Sequence, residues 1–189
     1  FIFGIYIFSK KNKFNLKEAY ILFSNNVLNK NTLFLVLFIL LVILIFQNFL
    51  DSFAPPILPD DIKYHFTLPK RYLSDASLNF YPDMLISLIP QQMEMLWTIA
   101  ICLDSAELAQ IFNYSISLLI LCWIYIIGKK NNLSELEQLI AMILFYSIST
   151  VSSISSSGNI EMGAALFFIS GLYLLIKFFD NFYWPDLII

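Results

Sequence analysis

The chain has 189 residues, 59% of them apolar, with a mean hydropathy of +0.74 and a net charge of −3. Charged residues make up only 13%, about half the roughly 25% of a soluble globular domain. These values exclude a disordered segment, a coiled coil and a cationic nucleic-acid binder, and they predict a polytopic membrane protein with no nucleic-acid partner.

The chain opens on Phe1 inside an apolar run and closes on Leu187-Ile188-Ile189, as a piece of a longer membrane protein would. Residues 1–9 read as the tail of an earlier span, and residues 10–31, with Lys10, Lys11, Lys13, Lys17 and Lys30, as a cytoplasmic connector. A helix crossing the hydrocarbon core needs about 20 apolar residues. That length predicts four complete spans, at about 32–50, 108–128, 136–154 and 160–179, with a further one starting near Trp184. All 189 residues belong to one transmembrane domain in this reading. Basic residues at 10–30, at Lys129 and Lys130, and at Lys177 place those regions inside. The loop 51–107, richer in acids than in cations, then lies outside. Asn113-Tyr114-Ser115 and Asn132-Leu133-Ser134 match the glycosylation pattern but fall in a span and on the inside, so both read as chance. Cys102 and Cys122 sit in apolar surroundings and read as two buried thiols rather than a disulfide.

A loop of this length with its own structure is commonly functional. Pro59-Asp60-Asp61 resembles a helix start. The pattern predicts amphipathic helices over 60–75, interrupted at Pro69, and over 84–103, broken at Pro90, lying along the membrane plane. Into these are set Asp60, Asp61, His65, Lys70, Arg71 and Glu94, with Glu161 opening the last span. Asp61 and His65 are four apart and share a helix face. Two readings stay open on composition alone: capping acids with interfacial basic anchors, or a built site.

The run Pro59-Asp60-Asp61-Ile62-Lys63-Tyr64-His65-Phe66-Thr67-Leu68-Pro69-Lys70-Arg71-Tyr72-Leu73 resembles the first outer loop of lipid-carrier-dependent glycosyltransferases of the GT-C fold. The group in view is akin to bacterial protein O-mannosyltransferases and aminoarabinose transferases. There an Asp precedes Tyr-His, then Pro-Lys and Tyr-Leu. Pro90-Gln91-Gln92-Met93-Glu94-Met95-Leu96-Trp97 resembles that group's Pro-Gln-x-x-Glu-x-Leu-Tyr segment, and Asn159-Ile160-Glu161-Met162-Gly163-Ala164 a helix start with Glu in place of the usual Asp. The resemblance covers roughly residues 50–180.

It implies an all-α polytopic GT-C-like fold and an integral protein of the bacterial inner membrane. The implied enzyme moves a hexosyl or pentosyl group from a polyprenyl-phosphate carrier to an acceptor glycan, lipid or protein on the extracytoplasmic face. An inverting transfer needs a base for the acceptor hydroxyl and a neutralising group for the departing phosphate. Asp60 matches the group's loop acid and is the expected base, with Asp61 beside it as the second catalytic acid. His65, Lys70, Arg71, Glu94 and Glu161 are the expected substrate-binding residues, with Lys70 or Arg71 for the phosphate. Glu94, Glu161 and His65 are of metal-ligating type, so a divalent metal ion stays open as a cofactor. The competing readings are a transporter subunit, which would want charged or broken helices at mid-membrane, and a non-catalytic membrane scaffold.

Overall fold

The computed structural model describes residues 30–89, 91–103 and 105–181. The connector 10–31, apart from its last two residues, the apolar runs at both ends and the break expected at Pro90 lie outside them. All regular structure among the described residues is helical. In chain order it comprises α1 (Lys30–Asp51), a π-helical turn (Asp61–His65), α2 (Thr67–Asp75), a 3-10 turn (Leu85–Leu88) and α3 (Gln92–Cys102). Then come α4 (Ala106–Lys130), α5 (Glu135–Tyr146), α6 (Ser149–Ser155) and α7 (Glu161–Asn181). The chain divides into two compact units, residues 1–37 and 38–189. The first contributes the opening turns of α1; the second holds the candidate site.

Among the described residues three helices are long and apolar enough to cross a membrane: α1, α4 and residues 161–179 of α7. They coincide with three of the four expected spans, and such helices are compatible with a membrane protein. Their outward faces are apolar, with Phe46, Leu119 and Phe168 all exposed, which suits lipid and not water. The stretch expected to span at 136–154 forms two helices, α5 and α6, bent by 75° at a short break, which together pass the same test of length and apolar content. The bend falls at Ser147-Ile148, where Ile148 leaves helical geometry. The apolar content of this stretch is high enough for a span, but its backbone is not straight.

The starts and stops follow local chemistry. Ser105 caps α4 by accepting from the Leu108 N–H, and Lys129 and Lys130 sit in its last turn, where cations suit the helix dipole. Ser134 and Glu137 form a reciprocal capping box at the head of α5. Pro69, expected to interrupt the loop helix, lies within the first turn of α2. A first-turn residue needs no intrahelical N–H bond. The discontinuity sits one turn earlier, where the π-helical turn hands over to α2 at Phe66.

The segment 51–107 is not a detached loop. Phe66, Met93, Trp97 and Ala100 pack in one buried cluster with Ala109, Ile116 and Ile120 of α4 and Met162 of α7. Trp97 is completely buried. A second cluster of Leu68, Tyr72 and Met84 holds the remainder of the segment together. Cys102 and Cys122, expected to be buried, are both exposed. In a helix with an apolar outer face, apolar sequence neighbours do not distinguish a lipid-facing position from an interior one.

Polar ties hold the helices where apolar packing alone gives little direction. Ser152 donates to Asn48 Oδ1 at 2.6 Å, joining α6 to α1. Asn113 of α4 donates through Nδ2 to the carbonyls of Ile154 and Ser157 at 2.8 and 2.9 Å. Its burial inside the bundle explains the polar residue in this span without any glycosylation.

Candidate functional site

The site is built where the segment 51–107 meets the turn between α6 and α7. Asp61 opens the π-helical turn and is 1% exposed. Its Oδ2 accepts from the Gly158 N–H at 2.9 Å, while Oδ1 is buried with no partner. The same glycine's carbonyl accepts from Trp97 Nε1 at 2.8 Å. The two successive peptide groups that flank the Gly158 Cα are thus held, one from the π-helical turn and one from α3. Gly158 does not adopt a positive φ; glycine is required here because a Cβ would run into the ring of Phe66.

One helical turn along, His65 Nδ1 donates to Glu94 Oε1 at 2.8 Å. Both side chains are buried, and Glu94 Oε2 has no partner. The four-residue spacing does put Asp61 and His65 close enough to interact electrostatically, and Glu161 adds its charge to both. Burial raises the Asp61 pKa above its usual 3.8, and the charges of Glu161 and Asp60 push the same way. The Gly158 hydrogen bond and the His65 charge oppose this without overcoming it. For His65, burial is the largest influence and favours the neutral ring. The Glu94 hydrogen bond, then the charges of Glu94, Asp61 and Glu161, outweigh it and raise the pKa above 6.5.

The other expected site residues are arranged differently. Asp60 precedes the π-helical turn, is exposed and makes no capping hydrogen bond. Lys70 is exposed. Arg71 is held by Asp83 in a two-point pair at 2.8 and 2.7 Å and lies 5.1 Å from the centre of the Tyr81 ring. A phosphate reaching Arg71 would have to displace a carboxylate from a bidentate fork. Glu161 is exposed at the head of α7. Asp61, His65 and Glu94 are therefore the residues that the fold buries together. Among the described residues no three His, Cys, Asp or Glu side chains converge to hold a metal ion. His65 and Glu94 are bonded directly to each other, so this geometry does not fit a divalent cation between them.

Beside Asp61 opens a cleft of about 500 Å³, within the usual size range of small-molecule sites. It is lined by Pro55, Pro56, Ile57 and Leu58, by serines of α6 and of the turn after it, and by Asp51 and Gln110. Gln110 donates through Nε2 to the carbonyls of Ala54 and Ser156, both at 3.0 Å, leaving Oε1 buried and unpartnered. Gln110, Trp97 and Gly158 were not singled out from the sequence. The available signals were a polar residue inside an apolar span and a lone glycine ending a serine run. Set against family models, curated proteins and solved structures, the chain matches none.

Proposed function

We propose that this chain catalyses transfer of a sugar from a polyprenyl-phosphate carrier to an acceptor, at the membrane boundary and on the extracytoplasmic side. The observation that supports this reading is Asp61, a buried carboxylate among the residues that line a cleft where α1, α4 and the α6–α7 turn come together. A carrier whose isoprenoid tail stays in the bilayer needs its reacting carbon presented at such a level. The base is assigned to Asp61 in preference to Asp60, because Asp61 lines the cleft and its raised pKa suits proton uptake. In the step, the acceptor oxygen bonds to the sugar C1 while the bond from C1 to the phosphate oxygen breaks. Asp61 takes the hydroxyl proton, and the bonding pair leaves with polyprenyl phosphate. His65, held by Glu94, acts electrostatically on Asp61. Lys70, exposed beyond Pro69, is available to the leaving phosphate. No metal enters this scheme.

The test is release of polyprenyl phosphate by the purified protein in nanodiscs supplied with polyprenyl-phosphate hexose and candidate acceptors. Release that depends on acceptor supports the reading; no release with any acceptor overturns it. A second reading, a transporter subunit, draws on the 75° break between α5 and α6, the kind of discontinuous helix found around transported substrates. Solute flux into sealed vesicles without any chemical change would favour it.

A further inference from the structure

The end of α4 farther from the candidate site carries a second hollow. Trp123, Ile127 and Lys130 recur at helical spacing on one face of α4, and Ile169, Leu172, Tyr173 and Ile176 do the same on α7. Between the two helices runs a furrow of about 280 Å³, lined by Ile127, Lys130 and Asn131 and by those four residues of α7. Trp123 and Tyr173 pack ring against ring, with centres 5.1 Å apart. Lys130 Nζ lies over the Tyr173 ring, 5.2 Å from its centre. Lys130 is the last residue of α4, a helix able to span a membrane. A lysine at such an end commonly extends its amine away from the apolar region into water; here the amine sits over a ring that lines the furrow. Lys129 precedes it, and Lys177 follows Tyr173 by one turn of α7, so this end of the two helices is basic. Among the described residues that line the furrow there is no carboxylate. The acids next along the chain, Glu135 and Glu137, open α5, where Glu137 is engaged in the capping box.

We propose that this furrow binds one membrane phospholipid with a net negative headgroup. Its phosphate meets the Lys130 amine, and one acyl chain lies along Ile127, Ile169, Leu172 and Ile176. The site does not depend on the glycosyl-transfer reading. It lies about 20 residues along α4 from Gln110 of the cleft, roughly 30 Å at the rise of a helix. The shape and the charge favour the same occupant. The α7 side of the furrow, from residue 169 to residue 176, extends about 10 Å and is apolar apart from the Tyr173 hydroxyl, which suits a hydrocarbon chain. The charged group at its end is a cation, at the level where a spanning helix meets the lipid headgroups. Basic pockets between spanning helices select anionic headgroups in this way. A zwitterionic headgroup brings its own cation toward Lys130 and weakens the attraction. The Tyr173 ring, apolar in body and polar at its tip, is of the type that settles at this boundary.

The experiment uses the full chain in detergent, titrated with phosphatidylglycerol or phosphatidylcholine of identical chains, and counts retained lipids by native mass spectrometry. One phosphatidylglycerol should be retained at least about fivefold more tightly than phosphatidylcholine, the factor that about 1 kcal/mol from one basic residue produces. Lys130→Gln should remove that preference and Lys130→Arg should keep it. Lys63→Gln, an exposed change on the π-helical turn, should also keep it. Leu172→Trp, at an exposed lining position, should fill the furrow and abolish retention of that lipid. Equal retention of the two lipids by the parent chain overturns the proposal, as does a preference that survives Lys130→Gln or Leu172→Trp. Tighter retention of polyprenyl phosphate than of phosphatidylglycerol would give the furrow to the carrier instead. A dimer without lipid that Leu172→Trp breaks would give it to a second copy of the chain; either result overturns the phospholipid assignment.

Discussion

His65 and Glu94, 29 positions apart in the chain, meet through a 2.8 Å hydrogen bond in a buried setting, with His65 Nδ1 donating to Glu94 Oε1. The pair ties the π-helical turn to α3. It also fixes the sign of a pH effect. Because the folded chain holds the His65 proton more tightly than the unfolded chain, the contribution of this group to stability is full below about 6.5 and fades as pH rises through the folded pKa. Asp61, likewise raised, acts in the same direction starting from 3.8. The Tm of the purified protein should therefore fall as pH climbs from 6.5, and Glu94→Gln should flatten that fall. Equal slopes in the two proteins would show that the pair carries no charge.

The two adjacent carboxylates separate by substitution. Asp61→Asn should slow sugar transfer by ~10²–10⁴-fold, the usual contribution of a positioned base. Asp60→Asn should leave transfer near the parent rate, since Asp60 is exposed and makes no cap hydrogen bond. Rates of polyprenyl phosphate release, measured for both variants at equal protein in the membrane, provide the check. The opposite ranking would return the role to Asp60.

A glycine series probes the packing of the segment 51–107 against α7 and the turn before it. Gly158→Ala drives a methyl group into the buried Phe66 ring and should cost about 1–3 kcal/mol. Gly163→Ala meets first the Met93 side chain, which is unbranched and able to move, and should cost less. Nothing lies within 4 Å of a Cβ at Gly171, so Gly171→Ala should raise stability by about 0.5–1 kcal/mol through helix propensity. Thermal unfolding of the three variants in one detergent gives the order.

Sidedness is testable with cysteine. In a background with Cys102 and Cys122 changed to serine, Leu78→Cys, at a position 67% exposed, should react with an impermeant thiol reagent in intact cells. Glu135→Cys, exposed at the head of α5 beyond the opposite end of α4, should react only after lysis. The reverse pattern would invert the topology and move the candidate site to the cytoplasmic side.

Much of the helical plan was legible because an unbroken apolar run of about 20 residues has few other foldings; α1, α4 and α7 fall where the runs predict. The 136–154 stretch passes the same test by composition, yet its bend is set at Ser147-Ile148 without a proline or glycine to announce it. Cysteine burial failed for a related reason: apolar flanks mark a face, and in a spanning helix the apolar face can be the outer one. For the site, Asp61 and His65 were marked by their four-residue spacing, and Glu94 by residue type. The contact between His65 and Glu94, and the approach of Gly158 to Asp61, depend on how distant segments pack, which periodicity does not encode. Gln110 and Asn113 were visible as polar residues inside a span, but only the fold shows that they fasten the α6–α7 turn.

The Gly158 carbonyl accepts from Trp97 and the Gly158 N–H donates to Asp61, so two successive peptide groups fasten two parts of the segment that joins α1 to α4. Peeling that segment away would strand an indole N–H, a carboxylate, a backbone N–H and a backbone carbonyl at once. A protease added to intact membranes would therefore find few cleavable bonds between Asp61 and Cys102, despite some forty residues outside any long helix. Its cuts should concentrate at the exposed bends near Ala76 and Asn79, and the nicked halves should stay associated until denaturant is added.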